Sequence, residues 1–369
     1  MIRRMGANRA RSSSGNGTYG LIAGWPVVVE SYSLEPLSRA VGPEFTRYTT
    51  VVRLRGAGQE GVGEDVTPFE PAQRAFAGSG SSLPLAGEWT VDSFGGHLEG
   101  VELYRDSPLP PGFPTTFRRW AFESAALDLA LRQAGVSLAD ALRLTPRPVN
   151  FVNSPMLQDA AVVTIRRRLE RHPWLRFKLD PSPDWGGDVI EQLAATGAVL
   201  IIDLKGQYPP AAPIALAPDP DLYARLASGF PDAWLEDPGL TAATREVLRP
   251  YHDRISWDVP VRTAEDIARL PIPPRAVNIK PARHGTLRRL LDVYDYCAEH
   301  EIPTYAGGMG EIGPGRGQNQ YLASMFHADA PNDIAPIAYN DRELPPDLPT
   351  SPLDPRPSAV GFGWERAWA

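Results

Sequence analysis

The pattern of apolar and polar positions changes near Pro148 and divides the chain into two parts. Before Pro148, residues 26–30 and 47–55 form extended runs rich in β-branched residues. Apolar residues then recur at helical spacing over residues 118–134, and Gly135 is placed to end that helix. The first part is therefore predicted to be an α+β domain with an antiparallel meander.

Two segments of this first part carry turn-type residues and are predicted to be loops. They are residues 31–36 and 63–68. A second short helix is predicted over residues 138–144.

After Pro148, short apolar runs alternate with longer amphipathic segments. The predicted strands are residues 149–153, 176–178, 200–203, 234–236, 255–258, 277–280 and 302–305. The helices predicted between them are residues 161–171, 189–196, 221–229, 241–251, 264–270 and 286–300. Repeated β-α units predict a parallel sheet with helices outside, and their number favours a closed (β/α) TIM-type barrel, of modified (β/α)7β form, over an open sheet.

These patterns predict four segments. Residues 1–18 form a disordered leader, 19–147 the α+β domain, 148–340 the barrel, and 341–369 a proline-rich segment that returns towards the first domain.

Composition narrows the class of protein. The chain has 369 residues with 22% charged and 43% hydrophobic residues, which is typical of a globular enzyme. The net charge of -7 argues against a nucleic-acid surface, and no apolar run has the length of a membrane span. The single cysteine, Cys297, precludes an intramolecular disulfide. We therefore expect a cytoplasmic protein that binds neither nucleic acid nor membrane.

Lysine is rare and unevenly placed. The chain has 37 Lys+Arg residues, yet lysine occurs only at Lys178, Lys205 and Lys280, at or just after the ends of predicted strands. A buried ammonium can lose its proton, whereas a guanidinium stays charged. The placement indicates amines that take part in proton transfer.

Functional residues of such a barrel lie at the carboxyl ends of its strands. Carboxylates stand at these ends on three successive strands, as Asp203, Glu236 and Asp258. Such a set suits a hard divalent cation such as Mg²⁺. Lys178 lies one strand before the carboxylates and Lys280 one strand after, which predicts one amine on each side of the metal. A metal that binds a substrate carboxylate eases removal of the adjacent α-proton as an enediolate forms, and a lysine base for this step needs a pKa lowered towards about 7–8.

The chain resembles the enolase superfamily and, within it, the muconate lactonizing branch, which includes o-succinylbenzoate synthases and N-acylamino acid racemases. The resemblance covers nearly the whole chain and rests on the order and spacing of several motifs. These are Phe177-Lys-Leu-Asp180, Ile202-Asp203, Leu235-Glu-Asp-Pro238, Trp257-Asp258, Asn278-Ile-Lys-Pro281 and Gly307-Gly-Met-Gly-Glu-Ile-Gly-Pro-Gly-Arg316.

The resemblance implies roles for particular residues. Asp203, Glu236 and Asp258 would bind Mg²⁺, and Lys178 and Lys280 would be the acid/base pair acting on a small carboxylate substrate. Two loops of a capping domain, residues 32–36 and 65–69, would close over the substrate. Further pocket residues would be Tyr32, Asn153, Ser154, Gly308, Met309 and Glu311. Members of the family are often homo-oligomers.

Three departures from the family pattern affect the expected site. Arg176 replaces the first lysine of a Lys-x-Lys pair and is expected to lower the pKa of Lys178 and orient a carboxylate. Lys205 stands where asparagine is common, and it either binds an anionic group of the substrate or pairs with Asp203 or Glu236 and weakens metal binding. Gly310 replaces a hydrophobic residue, which predicts an enlarged or loosened pocket floor.

Two other functions remain open from the sequence. A non-catalytic barrel would keep the architecture, with Lys205 in the place of the metal's charge. A sugar-acid dehydratase of the same superfamily commonly needs a His–Asp pair, and no histidine stands at a predicted strand end. His284 and the residues 166–168 are expected at the surface.

Overall fold

The computed structural model describes residues 17–41, 45–155, 157, 160–210, 212 and 214–364. Residues 1–16 of the predicted leader and residues 365–369 of the predicted C-terminal segment lie outside these ranges. Thr18 already begins a short 3₁₀ helix, Thr18–Leu21, and its backbone N–H donates to Asp295 Oδ2 at 2.6 Å. The part of the leader prediction that includes Thr18 is therefore wrong.

Within the described residues, the N-terminal part combines two antiparallel sheets with four α-helices. Strands β2, β3 and β4 form a meander, and β1 pairs with β5. The elements are β1 (Pro26–Val29), β2 (Ser31–Ala40), β3 (Thr46–Gly56), β4 (Gln59–Asp65), α1 (Glu70–Gly78), β5 (Gly87–Thr90), α2 (Val91–Glu99), α3 (Thr116–Ala134) and α4 (Leu138–Leu142).

Helix α3 supplies much of the core beneath the meander, as its apolar spacing predicts. It ends at Gly135, whose φ of 71° is left-handed and favours glycine. The two predicted loops are partly wrong. Residues 31–36 belong to β2 and residues 63–65 to β4, because both segments pair along β3.

The second part is a parallel sheet with helices outside. Its six strands follow the chain order β6 to β11, each hydrogen-bonded to the next. The elements are α5 (Ala161–Arg171), β6 (Phe177–Leu179), α6 (Gly187–Ala194), β7 (Val199–Asp203), α7 (Pro220–Gly229), β8 (Trp234–Glu236), α8 (Ala242–Leu248), β9 (Ile255–Trp257), α9 (Ala264–Ala268), β10 (Ala276–Ile279), α10 (Pro281–His284), α11 (Leu287–Glu299), β11 (Thr304–Ala306) and α12 (Pro314–Phe326).

Two short extended segments close this sheet into a ring. Asn153 bridges to Phe177 of β6, Phe151 bridges to Asn332, and Asp333 bridges to Gly307 beyond β11. The first segment matches the predicted strand 149–153. The second, residues 332–333, is too short to leave a pattern in the sequence. The prediction of a (β/α)7β barrel is confirmed, with residues 332–333 as the eighth segment.

The chain after the barrel returns to the N-terminal part. The Phe362 ring packs edge-on against Trp120 of α3 with 6.5 Å between centroids, and its N–H donates to Asp128 Oδ1 at 2.7 Å. No helix within the described ranges is long and apolar enough to cross a membrane.

Arg168 on α5 corrects a prediction. The sequence placed residues 166–168 on a solvated face, but Arg168 is buried and donates to Asn153 Oδ1 at 2.8 Å and to the backbone oxygen of Asp341 at 2.8 Å. Arg166 and Arg167 are exposed, as expected.

Candidate active site

Three carboxylates form a row at the carboxyl ends of neighbouring strands. Asp203 ends β7 and lies opposite Glu236, which ends β8, while Asp258 follows β9. Their exposed fractions are 1%, 0% and 1%. Parallel pairing at matched ends brings the groups together, as the sequence predicts.

Lys178, in the middle of β6, lies at one end of this row. Its Nζ is 2.7 Å from Glu236 Oε1 and 3.0 Å from Asp203 Oδ2. Burial alone would lower the pKa of Lys178, but the carboxylates of Asp203, Glu236 and Asp333 outweigh burial and hold that pKa well above its usual value. The expected lowering of its pKa is therefore absent from this arrangement, because the neighbouring charges are negative.

Lys280 lies at the other end of the row. Its Nζ is 2.8 Å from Asp258 Oδ2, and Arg283 donates to the second oxygen, Oδ1. Gly307 stands against this lysine, because a Cβ there would be 2.6 Å from Lys280 Cε. Glycine at position 307 thus makes room for the amine.

Lys205 follows β7 with a left-handed φ of 50°. Its Nζ is 2.5 Å from Asp203 Oδ2 and 3.3 Å from Asp180 Oδ1. Of the two alternatives left open by the sequence, pairing with Asp203 is the one present. The pKa of Asp203 would rise through burial, but Lys178 and Lys205 lower it to about 2.

Arg176 does not join the site. It precedes β6, is exposed, and its guanidinium donates to the backbone oxygens of Trp174 and Leu175. The pairing of β6 with β7 is irregular between Phe177 and Lys178. The prediction that Arg176 lowers the pKa of Lys178 is therefore wrong.

The sequence did not single out two polar residues that contact Glu236. The Tyr305 hydroxyl on β11 donates to Glu236 Oε2 at 2.7 Å, and Asn278 Nδ2 on β10 lies 3.2 Å from Glu236 Oε1. Asn278 lies two residues before Lys280 on the same strand face, so strand periodicity could have found it. Tyr305 ends the predicted strand 302–305, so its position was a signal, but a buried tyrosine is also common in apolar cores.

Two more carboxylates extend the charged cluster. Asp333, on the eighth segment, lies 3.5 Å from Lys178 Nζ, and Asp237 accepts the backbone N–H of Asp258 at 2.8 Å. Together with Asp180, the cluster contains six carboxyl groups and four cationic groups, those of Lys178, Lys205, Lys280 and Arg283.

The donor chemistry fits a divalent cation of the magnesium type. All three carboxylates of the row offer oxygen ligands, the type that Mg²⁺ prefers. Burial, together with the repulsion of Asp203 and Asp258, raises the pKa of Glu236 to about 7. Over the described ranges no three Asp, Glu, His or Cys side chains are gathered as a ready metal cage. The ammonium groups lie between the carboxylates and keep them apart.

The structure places Tyr32 and Asn153 in other surroundings. Tyr32 packs edge-on against Phe122 at 5.8 Å, and its hydroxyl accepts the N–H of Leu83 at 3.0 Å. The Asn153 side chain is fully buried and faces Arg168 and Tyr339. Neither environment supports the predicted substrate contact.

Gly308, Met309 and Glu311 follow β11 near the row. Glu311 accepts the N–H of Met309 at 3.0 Å, and Arg283 Nη2 lies 3.7 Å from Met309 Sδ. A Cβ on Gly308 would be 2.6 Å from Glu311 Oε2. This segment therefore reaches the Asp258 end of the row through Arg283.

His284 is not a surface residue as expected. It is fully buried, and its Nδ1 lies 2.8 Å from the backbone oxygen of Arg262. Burial lowers its pKa to about 4.

Comparison with known protein families identifies the family of this chain. Residues 20–141 match the family described as Domain of unknown function (DUF8230) N-terminal domain, and residues 145–341 match the corresponding C-terminal domain. The second match alone spans more than half of the chain. The chain belongs to the DUF8230 family.

The DUF8230 chain also has relatives of known activity. It is 28% identical over 335 residues to the N-succinylamino acid racemase of Thermus thermophilus, covering 87% of this chain and 88% of the relative. It is 28% identical over 310 residues to the o-succinylbenzoate synthase of Geobacillus kaustophilus, covering 77% and 80%. Both relatives are named for a catalysed reaction, which confirms the prediction of an enzyme.

A solved structure shares the fold of this DUF8230 chain. The dipeptide epimerase of Methylococcus capsulatus, in complex with Mg and the dipeptide L-Arg-D-Lys, superimposes with a TM-score of 0.63 at 17% identity, covering 83% of this chain and 90% of that one. The TIM-type fold is confirmed by this likeness, and the resemblance to o-succinylbenzoate synthases and N-acylamino acid racemases is confirmed by the two relatives.

Proposed function

We propose that this chain is a Mg²⁺-dependent enzyme of the enolase superfamily that removes the proton α to the carboxylate of a small acid. The supporting observation is the placement of Lys178 and Lys280 at opposite ends of the row Asp203, Glu236 and Asp258. Five side chains from five successive strands meet in one buried cluster, which the packing of a barrel alone does not require.

In this proposal Asp203, Glu236 and Asp258 hold the cation. Bound Mg²⁺ would supply positive charge that neutralises the carboxylates and attracts the substrate carboxylate. Lys178 and Lys280 then face the α-carbon from two directions, one amine accepting the proton and the other returning it or stabilising the developing charge. The burial of both lysines limits access of water to the proton.

The relatives suggest which acids to try. They are named for N-succinylamino acid racemisation and o-succinylbenzoate synthesis, and the epimerase structure holds a dipeptide. Acyl-amino acids, dipeptides and precursors of the succinylbenzoate type are therefore the first candidates. Dehydration and racemisation begin with the same proton removal, so a test of that step does not depend on the final product.

The experiment measures exchange of the α-proton. Each candidate acid is incubated with the protein and Mg²⁺ in heavy water, and loss of the α-proton signal is followed by NMR. Exchange should occur with at least one acid, should need Mg²⁺, and should disappear in Lys178→Ala and Lys280→Ala. Lys178→Arg and Lys280→Arg keep the positive charge but cannot release a proton at neutral pH, so they should also be inactive. Exchange that persisted in both alanine variants would refute the assigned roles.

The non-catalytic alternative is not supported, since the relatives are named for catalysed reactions. The metal dependence needs its own test, because the ammonium of Lys205 lies 2.5 Å from Asp203, where it competes with a metal. The midpoint of thermal unfolding should rise with Mg²⁺ concentration. An unchanged midpoint would refute the metal-binding role of Asp203, Glu236 and Asp258.

A further inference from the structure

Arg47 belongs to the N-terminal part of the chain, called the cap below. It contacts the barrel next to the candidate site. It lies on β3, is 8% exposed, and donates to four backbone oxygens on two separate segments. Within the cap it reaches Val66 at 2.5 Å and Thr67 at 3.3 Å, in the loop after β4. In the barrel it reaches Met309 at 2.9 Å and Gly310 at 3.1 Å. One guanidinium thus joins the β4–α1 loop, residues 66–69, to the β11–α12 loop, residues 307–313.

The backbone conformation of Gly310 and its lack of a side chain leave room for this contact. Its φ is 78°, in the left-handed region, and a Cβ there would lie 3.0 Å from Arg47 Nε. A side chain at position 310 and the Arg47 guanidinium therefore compete for the same space. The sequence predicted that Gly310 enlarges or loosens the pocket floor, but Arg47 occupies the space beside it.

The surroundings of Arg47 permit its burial. Glu64, Asp65 and Glu311 supply negative charge nearby. Glu64 makes a second connection, because its carboxylate accepts the N–H groups of Ile312 and Gly315 at 2.9 Å. The cap therefore holds the β11–α12 loop at its middle through Arg47 and at its end through Glu64.

The loop that Arg47 holds leads directly to the row of carboxylates. Met309, whose oxygen accepts from Arg47, contacts Arg283 through its sulfur at 3.7 Å. Arg283 in turn pairs with Asp258. A shift of Met309 would therefore change the packing around Arg283 at the Asp258 end of the row.

We propose that Arg47 is a positioning residue that fixes the β11–α12 loop over the site by joining it to the β4–α1 loop of the cap. A kinetic test of this proposal rests on the proposed function, whereas a hydrogen-exchange test of the two loops does not. The guanidinium reaches the four oxygens through its Nε, Nη1 and Nη2 atoms. A lysine has one nitrogen with three donors and can keep only part of this contact.

The first test compares Arg47→Ala, Arg47→Lys and the control Arg53→Ala by amide hydrogen exchange. Arg53 lies on the same strand and pairs with Glu35 and Glu60 near the cap surface. Arg47→Ala should raise exchange in residues 66–69 and 307–313 by at least about tenfold and Arg47→Lys by less, while Arg53→Ala leaves these segments unchanged. Normal protection in Arg47→Ala would overturn the bridging role, and so would a rise spread evenly over the whole chain.

The second test uses the kinetics of an acid that the exchange assay identifies. Loss of loop position should raise KM about tenfold and change kcat by less than about threefold. An unchanged KM in Arg47→Ala contradicts the proposal. If the wild-type protein exchanges no acid, the proposed function fails, while the hydrogen-exchange result still decides the role of Arg47.

A double-mutant cycle tests the pairing of Arg47 with Gly310. Gly310→Ala introduces backbone strain in any background, but its clash with the guanidinium exists only when Arg47 is present. The added methyl should therefore raise loop exchange less in the Arg47→Ala background than in the wild type. Equal effects in both backgrounds would show that the two residues act independently and would contradict the shared contact.

Discussion

The Nζ atom of Lys205 lies 2.5 Å from Oδ2 of Asp203, and the same oxygen lies 3.0 Å from Lys178 Nζ. One carboxylate oxygen thus accepts from two ammonium groups. A cation bound to Asp203 must either displace the Lys205 ammonium or bind beside it against charge repulsion. Lys205 lies at the edge of the cluster with 16% of its side chain exposed. Lys205 is therefore partly open to solvent, whereas Lys178 is enclosed.

Replacing Lys205 by methionine should strengthen metal binding. The change removes a positive charge beside Asp203 but keeps an unbranched side chain, so less repulsion opposes the incoming cation. The dissociation constant for Mg²⁺, measured by calorimetry, should fall about tenfold. Arg249→Met, at an exposed pair with Glu246, is the control for loss of a charge and should leave the constant unchanged. Weaker binding in Lys205→Met would mean that the lysine supports the metal site.

Replacing Tyr305 by phenylalanine should lower the free energy of unfolding, because Glu236 loses a hydrogen-bond donor. Only the hydroxyl that donates to Glu236 Oε2 at 2.7 Å is lost, and the ring still packs against Trp234 at 5.2 Å. A buried acceptor left without its donor costs about 1–3 kcal/mol of the free energy of unfolding. Urea unfolding without metal should report this loss, and Mg²⁺ affinity should fall because Glu236 is less well oriented.

The half-buried Tyr296 on α11 provides the matched control. Tyr296→Phe also removes one hydroxyl and should change the free energy of unfolding by no more than about 0.5 kcal/mol. Equal effects of the two variants would refute a specific contribution from Tyr305.

Arg168 and Arg166 offer a comparison within one helix. Arg168 is buried on α5 and donates to Asn153, Tyr339 and Asp341, so it connects the helix to the first barrel segment and to the chain after the barrel. Arg168→Ala should lower the free energy of unfolding by about 2–3 kcal/mol, because buried acceptors lose their donors. The exposed Arg166→Ala should stay within about 0.5 kcal/mol of the wild type. Similar free energies of unfolding for the two variants, measured with urea, would mean that Arg168 contributes no more than an arginine on a solvated face.

The parts of the fold that sequence predicted well have strong local patterns. Residues 118–134 repeat apolar positions at helical spacing, and the structure has helix Thr116–Ala134. Residues 161–171 agree fully with α5. Their positions at the ends of predicted strands correctly indicated that Asp203, Glu236 and Asp258 lie together. Parallel strands bring their carboxyl ends to one edge of the sheet.

The failures have physical causes that a single sequence does not display. Residues 332–333 form a strand only by pairing on both sides, so two residues leave no period to detect. Arg176 was expected beside Lys178 because it replaces the first lysine of the family's Lys-x-Lys pair, but β6 begins only at Phe177 and its pairing is irregular there. The contact between Arg47 and Gly310 joins residues 263 positions apart, and local spacing cannot reveal it.

His327 connects the eighth barrel segment to helix α11. Its Nδ1 lies 2.8 Å from Asn332 Oδ1, which also accepts the N–H of Ala306, and its Nε2 lies 2.9 Å from the Tyr294 hydroxyl. Since Asn332 Oδ1 only accepts, the Nδ1 atom donates, and in the neutral imidazole Nε2 accepts from the tyrosine hydroxyl. Protonation would place a second N–H against the Tyr294 hydroxyl, in a buried site where Cys297 is the other titratable neighbour.

Stability should therefore fall in acid through His327. Burial lowers its folded-state pKa from 6.5 to about 4. The unfolded chain takes up the proton first as pH falls, so the contribution is complete above about pH 6.5 and is lost progressively towards pH 4. Between pH 8 and pH 5 this residue should remove about 2 kcal/mol from the free energy of unfolding.

Urea unfolding at pH 8 and pH 5 measures this loss in the wild type and in His327→Gln. The variant is expected to be less stable at pH 8, because its side chain cannot reproduce both hydrogen bonds, yet to lose about 2 kcal/mol less on acidification. His284, whose pKa is also lowered by burial, remains in both proteins and cancels from the comparison. His300→Gln, at an exposed site on the end of α11, should keep the wild-type loss. An identical pH dependence in the wild type and His327→Gln would mean that His327 already titrates normally in the folded chain, and that the hydrogen bonds closing the barrel at Asn332 tolerate its charge.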